Sequence, residues 1–321
     1  MNTKKIMEGL TEKLASADFK CAFVSTRHLP DIRRDLEKLL EERSLYKEFY
    51  DEIVTRLGLY WHFDPPVDFP QAESVIIAAV FQPKTSLEFE LSGKKYYVII
   101  PPTYIYNTDK EIVDIMSPYL DQHGYHISDA LLPTKLLAVR CGMAKYGRNN
   151  ITYIDGWGSY YRLRAFFLNL PCTDDHWQEP EAMDLCSKCT ACIAKCPTRA
   201  INRDRFLVDA GKCLTFFNEA SYEFPKWLDR TWHNSLVGCM ICQDVCPANK
   251  DHTSWVMPGG DFSEEETVMI LDGVAQDKLP ANTAAKLQRV NMLDYYYALK
   301  RNLGVLIENQ RKGIGKGAEK R

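Results

Sequence analysis

CSKCTACIAKCPTRAI (186–201) and VGCMICQDVCPANK (237–250) decide how this chain is read. The first stretch is Cys186-x2-Cys189-x2-Cys192-x3-Cys196-Pro197. The second is Cys239-x2-Cys242-x3-Cys246-Pro247, and Cys213 lies between them. Two-residue gaps let a tight loop wrap three thiolates around one cubane, while the fourth cysteine, before proline, reaches a second one. On that rule one 4Fe–4S cluster takes Cys186, Cys189, Cys192 and Cys246, and the other takes Cys239, Cys242, Cys213 and Cys196. The second motif is one cysteine short of the full run, and Cys213 supplies it. Zinc is the competing reading. Zinc knuckles use separated CxxC pairs, and a single tetrahedral ion uses CxxCxxCxxxCP poorly. The spacing therefore predicts two clusters that carry electrons singly.

Working outward, the chain has 321 residues, 45% of them hydrophobic, with 40 basic and 43 acidic residues and a net charge of -3. That supports a proper core and excludes a general basic field for nucleic acid. Of the 11 cysteines, eight fall between Cys186 and Cys246, which favours metal ligation over disulfides in a reducing compartment. Cys21 and Cys141 read as small buried hydrophobes, and Cys172 sits close to the cysteine module. No apolar run has the length of a membrane span and the start is not a secretory signal, so a cytoplasmic protein away from the membrane is expected.

The expected fold is α/β (α+β). An N-terminal cofactor domain spans 1–170, a ferredoxin-like double 4Fe–4S module spans 171–255, and a helical C-terminal segment with a basic tail spans 256–321. The start of the chain and residues 31–57 have helical periodicity. SVIIAAVFQ (74–82) is a continuous apolar run, hence a buried strand, and KYYVII (95–100) is another. Residues 108–125 read as a helix with Pro118 inside, and 133–142 as a short helix ending before Gly142. ITYI and YYRLRAFFLNL read as strands around the turn Asp155-Gly156-Trp157-Gly158. Ser263 and Glu266 form a capping box, and LDYYYALKRNLGVLIEN is a longer helix.

A free electron carrier needs only the cysteine module, so the long preceding segment predicts an acceptor site. No flavin or nicotinamide fingerprint is present, and the spaced glycines at 313, 315 and 317 follow no strand. Between 135 and 164 stand Lys135, Arg140, Lys145, Arg148, Arg162 and Arg164 against Asp155 alone, a candidate anion-binding stretch. Arg162 and Arg164 alternate on one strand face and point the same way. Tyr104 and Tyr106 are candidate pocket residues.

The order of these pieces resembles epoxyqueuosine reductases and, more distantly, corrinoid reductive dehalogenases. CSKCTACIAKCPTRAI, VDAGKCLTFFNE (208–219) and VGCMICQDVCPANK resemble the family's cluster segments. RCGMAKYGRNNITYIDGWGSYYRLRAFFLNLP (140–171) resembles the stretch that precedes them. Tyr146 stands where the family has tryptophan and Arg148 where it has lysine, and its Tyr-Ala-Arg-Gly-Arg-Asp-Tyr-His stretch has no counterpart here. The resemblance implies a cobalamin on the α/β domain, reduced by the nearer cluster, with Tyr146, Arg148, Arg162 and Arg164 around it. It also implies Asp129 as proton donor, epoxyqueuosine in tRNA as substrate, and reduced ferredoxin or flavodoxin as electron source. Asp121-Gln-His123-Gly-Tyr-His126 nearly repeats a corrinoid-binding motif, but its closing glycine is His126. The alternative function is an electron-transfer or activating protein that serves another corrinoid or metalloenzyme.

Overall fold

The computed structural model describes residues 2–42, 51, 61, 63–105 and 107–314, arranged as two compact units that interleave along the chain. The first comprises residues 1–81, 107–190 and 203–208, and the second comprises 82–106, 191–202 and 209–321. Tyr106, most of 43–57 and the tail from 315 lie outside the described residues.

The first unit is built on an antiparallel sheet of β1 (Phe19–Ser25), β2 (Ser74–Phe81), β5 (Ile127–Asp129) and β8 (Tyr161–Leu168), ordered β1-β2-β8-β5. The β2 run lacks polar alternation because both faces of the sheet are covered. Val75, Ile77 and Ala79 join Ala165 and Phe167 on one face, under Leu29 and Ile32 of the helix Leu29–Glu41 and under the helix Thr134–Arg140. Ile76, Ala78 and Val80 join Phe166 and Leu168 on the other. That face is covered by Ile6, Met7, Leu10 and Leu14 of the helix Thr3–Ala15 and by Ile112, Met116 and Leu120 of the helix Asn107–Asp121. Each fully buried Leu or Ile contributes about 1.5–3 kcal/mol relative to exposure. Gly9 has no Cβ, which lets Tyr119 approach the first of these helices closely. The helix expected over 31–57 begins at Leu29, and its described part ends at Glu41.

The second unit holds a three-stranded sheet, order β4-β3-β9. β3 (Lys84–Leu91) and β4 (Lys94–Ile100) form a hairpin whose two-residue turn, Ser92-Gly93, has φ of 55° and 69°. Positive φ at both positions matches the twist of the strands. β9 (Val256–Phe262) runs parallel to β3 with a bulge at Ser86/Leu87. The C-terminal segment is helical as expected from Glu264 onward, and β9 adds one strand ahead of it: VMPGGDF has little intrinsic strand preference, and pairing with β3 imposes the conformation. Leu87, Phe89, Val98, Ile100 and Phe262 pack with Ile270, Leu287, Leu299 and Leu303. Those side chains come from the helices Glu264–Asp272, Ala281–Arg289 and Tyr296–Arg311. The Ser263/Glu266 capping box is formed, and Gly273 closes that helix in the left-handed conformation.

β3 finds its partner in β9, far along the chain, so the second unit draws on separated stretches of sequence. No helix among the described residues is long and apolar enough to cross a membrane.

Candidate functional site

Cys186 and Cys189 belong to the first unit and the other six module cysteines to the second. In the first unit, β6 (Lys145–Tyr146) and β7 (Thr152–Tyr153) make a tight hairpin. Asn150 takes a positive φ of 58°, the Gly147 N–H donates to Ile151 O (2.7 Å), and Asn149 Nδ2 donates to Tyr153 Oη (2.9 Å). Residues 181–183 add to this hairpin: the Tyr146 N–H donates to Glu181 O (2.8 Å) and the Met183 N–H to Tyr146 O (2.9 Å). The next turn, Asp184–Ser187, thereby brings Cys186 to the hairpin tip. There the backbone N–H of Arg148 donates to Cys186 Sγ (3.4 Å), and Arg148 Nη2 donates to Cys186 O (2.6 Å). Arg148 Nε is buried without a partner.

In the second unit the short helices Ala191–Lys195 and Ile241–Asp244 pack on each other, the paired arrangement expected of two interleaved motifs. Each ends just before a Cys-Pro, at Cys196 and Cys246. Cys213 precedes the helix Leu214–Glu219, and Cys239 joins the Leu214, Phe217 and Leu228 cluster. Burial pushes the Cys239 thiol up to about 12, with Cys213 and Cys196 adding, and burial likewise raises Cys213, with Cys196 and Glu219 contributing. Raised thiol pKa values favour the neutral form, and a neighbouring metal cation would favour the thiolate. Among the described residues no three ligand side chains are gathered tightly enough for one ion. A cubane places each sulfur on its own iron and does not require that.

The loop 233–240 has no regular structure, so side chains hold its backbone. Asn218 Nδ2 donates to Gly238 O (2.7 Å), and Asn302 Nδ2 donates to Leu236 O and Asn218 O (2.8 Å each). Asn234 Oδ1 accepts the Met240 N–H (2.9 Å), and Asn234 Nδ2 donates to Cys239 Sγ (3.4 Å). Lys84, almost fully buried, holds Asp244 of the second motif through Nζ (3.1 Å). Tyr104 donates its hydroxyl to Glu219, and burial, then that carboxylate, raises its pKa. Its ring lies where a Cβ on Gly238 would stand, and Gly238 takes φ +64°.

The remaining expected residues sit in the first unit. Arg162 donates through Nε and Nη2 to the two carboxylate oxygens of Asp109 (2.7 and 2.8 Å). Arg164 donates through Nη2 to Asp129 (2.6 Å), with its guanidinium over the Phe166 ring. Asp129 is opposite Phe166 in the sheet, so Arg164 is its diagonal neighbour on the same face. The Asp129 side chain is 74% exposed. Tyr146 is buried edge-on to Phe206, and burial raises its hydroxyl. Arg140 pairs with Asp35 and Glu179, and Lys145 with Glu181. The basic stretch is thus matched by acids from distant segments, not by Asp155. His123 Nδ1 faces Tyr119 O (2.8 Å) at the end of its helix. Sequence reasoning missed Asn234 and Asp109. Asn234 belongs to no spacing motif, and Asp109 is distant along the chain from the arginines it binds.

Residues 185–249 match the 4Fe-4S double cluster binding domain family, so the chain carries a double 4Fe–4S domain. The epoxyqueuosine reductase of Cyclobacterium marinum is 35% identical over 161 residues, covering 49% of this chain and 49% of that protein. A selenomethionine-labelled epoxyqueuosine reductase structure superimposes with a TM-score of 0.61 at 18% identity, over 95% of this chain and 82% of that one. This chain has the epoxyqueuosine reductase fold. A further epoxyqueuosine reductase structure, with an epoxyqueuosine-modified tRNA stem loop, gives a TM-score of 0.60 at 20% identity over the same shares. The chain spans about half the length of the curated epoxyqueuosine reductases it matches first.

The four side chains expected around a cobalamin all have partners within the first unit. Arg162 and Arg164 are committed to Asp109 and Asp129, Tyr146 is shut in against Phe206, and Arg148 is turned to Cys186.

Proposed function

We propose that this chain is an iron–sulfur reductase of the epoxyqueuosine reductase kind. Cys186, Cys189, Cys192 and Cys246 hold one cluster, and Cys196, Cys213, Cys239 and Cys242 hold the other. The observation that carries this reading is the packing of the two motif helices, Ala191–Lys195 and Ile241–Asp244, on each other inside a double 4Fe–4S domain. Removing an epoxide oxygen to leave an alkene takes two electrons and two protons, releasing water. Two one-electron clusters supply the electron pair in single steps. Asp129, exposed at a sheet edge and held by Arg164, is the proposed proton donor.

The proposed substrate is epoxyqueuosine in tRNA, by likeness to the relatives and to the enzyme solved with a modified stem loop. The proposed electron source is a reduced ferredoxin or flavodoxin, and the proposed compartment is the cytoplasm. Cobalamin remains a proposal from the sequence resemblance. When bound it would supply a strongly reducing cobalt.

Anaerobically purified protein, supplied with cobalamin and a low-potential reductant, is expected to convert epoxyqueuosine to queuosine in tRNA. Intact clusters with no conversion in the presence of cobalamin would remove the substrate assignment.

A further inference from the structure

Among the described residues, backbone N–H groups reach the sulfurs of Cys186, Cys213 and Cys239, from Arg148, Thr215 and Ile241, and the side-chain amide that reaches Cys239 differs from them in kind. Cys186 Sγ receives the backbone N–H of Arg148, which no side-chain substitution removes. Cys239 Sγ receives the side-chain amide of Asn234. We propose that Asn234 is a positioning residue that sets the reduction potential of the second cluster. The inference rests on Cys239 being a ligand of that cluster.

One-electron reduction adds a negative charge to the cubane and its thiolates. A donor aimed at a ligand sulfur stabilises the reduced form more than the oxidised one, so it raises the potential. Asn234 is fixed for this task at both ends of its amide. Oδ1 is held by the Met240 N–H at 2.9 Å, and Nδ2 is shared between Trp232 O at 3.0 Å and Cys239 Sγ at 3.4 Å. With Oδ1 occupied by a backbone donor, the amide cannot flip without losing that bond, so the nitrogen stays turned to the sulfur. The flanking residues, His233 and Ser235, are buried, which limits how far water can replace the amide as donor. The first cluster's backbone donor has no such handle, so a side-chain change at 234 should move one potential and leave the other.

Two substitutions separate the hydrogen bond from charge. Asn234→Asp keeps the acceptor for Met240 but removes the donor and adds a negative charge. Asn234→Leu removes the donor without adding charge. In redox titrations followed by electron paramagnetic resonance on the full-length, anaerobically purified protein, wild type shows two cluster signals. Both variants keep wild-type iron content, and one midpoint falls while the other holds. In Asn234→Asp the fall corresponds to roughly tenfold in the reduction equilibrium, about 59 mV for one electron, with a smaller fall in Asn234→Leu.

A merely structural role gives a different sign, because a loosened loop admits water and raises the potential. Unchanged or raised midpoints with full iron would overturn the inference. Loss of cluster iron in both variants would overturn it too, by making Asn234 a loop brace. A wild-type protein with a single cluster signal would instead refute the ligand assignment on which it rests.

Discussion

The arginine row on β8 and the loop around Cys239 are both polar and partly buried, yet they differ in how far their charged and polar groups are matched. Among the described residues, Arg164 Nε is the one buried side-chain atom on β8 without a hydrogen bond, against four around Cys239. On β8 each guanidinium has a carboxylate: Arg162 has Asp109, and Arg164 has Asp129 with Asp109 at 3.4 Å. Around Cys239, the buried His233 has no partner on either ring nitrogen, and Asn218 Oδ1 and Ser235 Oγ are likewise unmatched. Unmatched buried polar atoms cost about 1–3 kcal/mol each. Folds keep them mainly where something other than stability is served. The difference teaches that charge density in a sequence is a weak guide to chemistry, because charges can be absorbed by the fold. Cysteine spacing is a strong one, because a CxxCxxCxxxCP run has few uses other than holding a cluster.

The largest test of this contrast is at the sulfur end. Cys239→Ser should cost about half of the bound iron and one of two electron paramagnetic resonance signals, since a cubane lacking a thiolate ligand is poorly held. Full iron content would break the assignment. At the carboxylate end, Asp129→Asn should keep both clusters and lower turnover by roughly 10²-fold or more, the usual weight of a positioned acid. Turnover within a few-fold of wild type would leave Asp129 as the ion-pair partner of Arg164 and nothing more.

Asp109→Asn sharpens the reading of the arginine row as structural. Both arginines lose their shared acid, and Arg162 is only 17% exposed. The unfolding free energy from urea titration should drop by about 1–2 kcal/mol while cluster content holds. If stability were unchanged and turnover fell instead, the row would belong to the reaction.

The smallest expected effect concerns pH. Burial, then Arg301 and Arg230, lower the pKa of His233 from 6.5 to about 4. The unfolded chain therefore takes up this proton first as the pH falls. The stability contributed by keeping the ring neutral is complete above about pH 6.5 and is lost progressively down to about pH 4. His233→Phe, which preserves the contact with Phe224, should flatten that part of the stability–pH curve. An unchanged slope would show that His233 is not the group responsible.

Much of this molecule was legible before its fold was seen, for identifiable reasons. The run at 74–82 has no polar interruption and became the doubly covered strand β2. Ser263 and Glu266 announced a helix start that depends only on local hydrogen bonds. The alternation Leu87-Glu88-Phe89-Glu90-Leu91 is likewise the mark of a strand with one covered face, and it lies in β3. β9 carried no such mark, because Pro258, Gly259 and Gly260 favour a strand only through a partner distant in sequence. The candidate site divides in the same way. Thiol spacing is a local property and named the cysteines. The acids opposite Arg140, Arg162 and Arg164 and the amide opposite Cys239 are set by tertiary pairing and were invisible to spacing.

The central claim is best tested by counting metals in a single anaerobic preparation of the full chain, alongside its electron paramagnetic resonance spectrum after reduction. Two cubanes predict about eight iron atoms per chain, no stoichiometric zinc, and two interacting reduced-cluster signals. A colourless protein carrying zinc in place of iron would contradict the account.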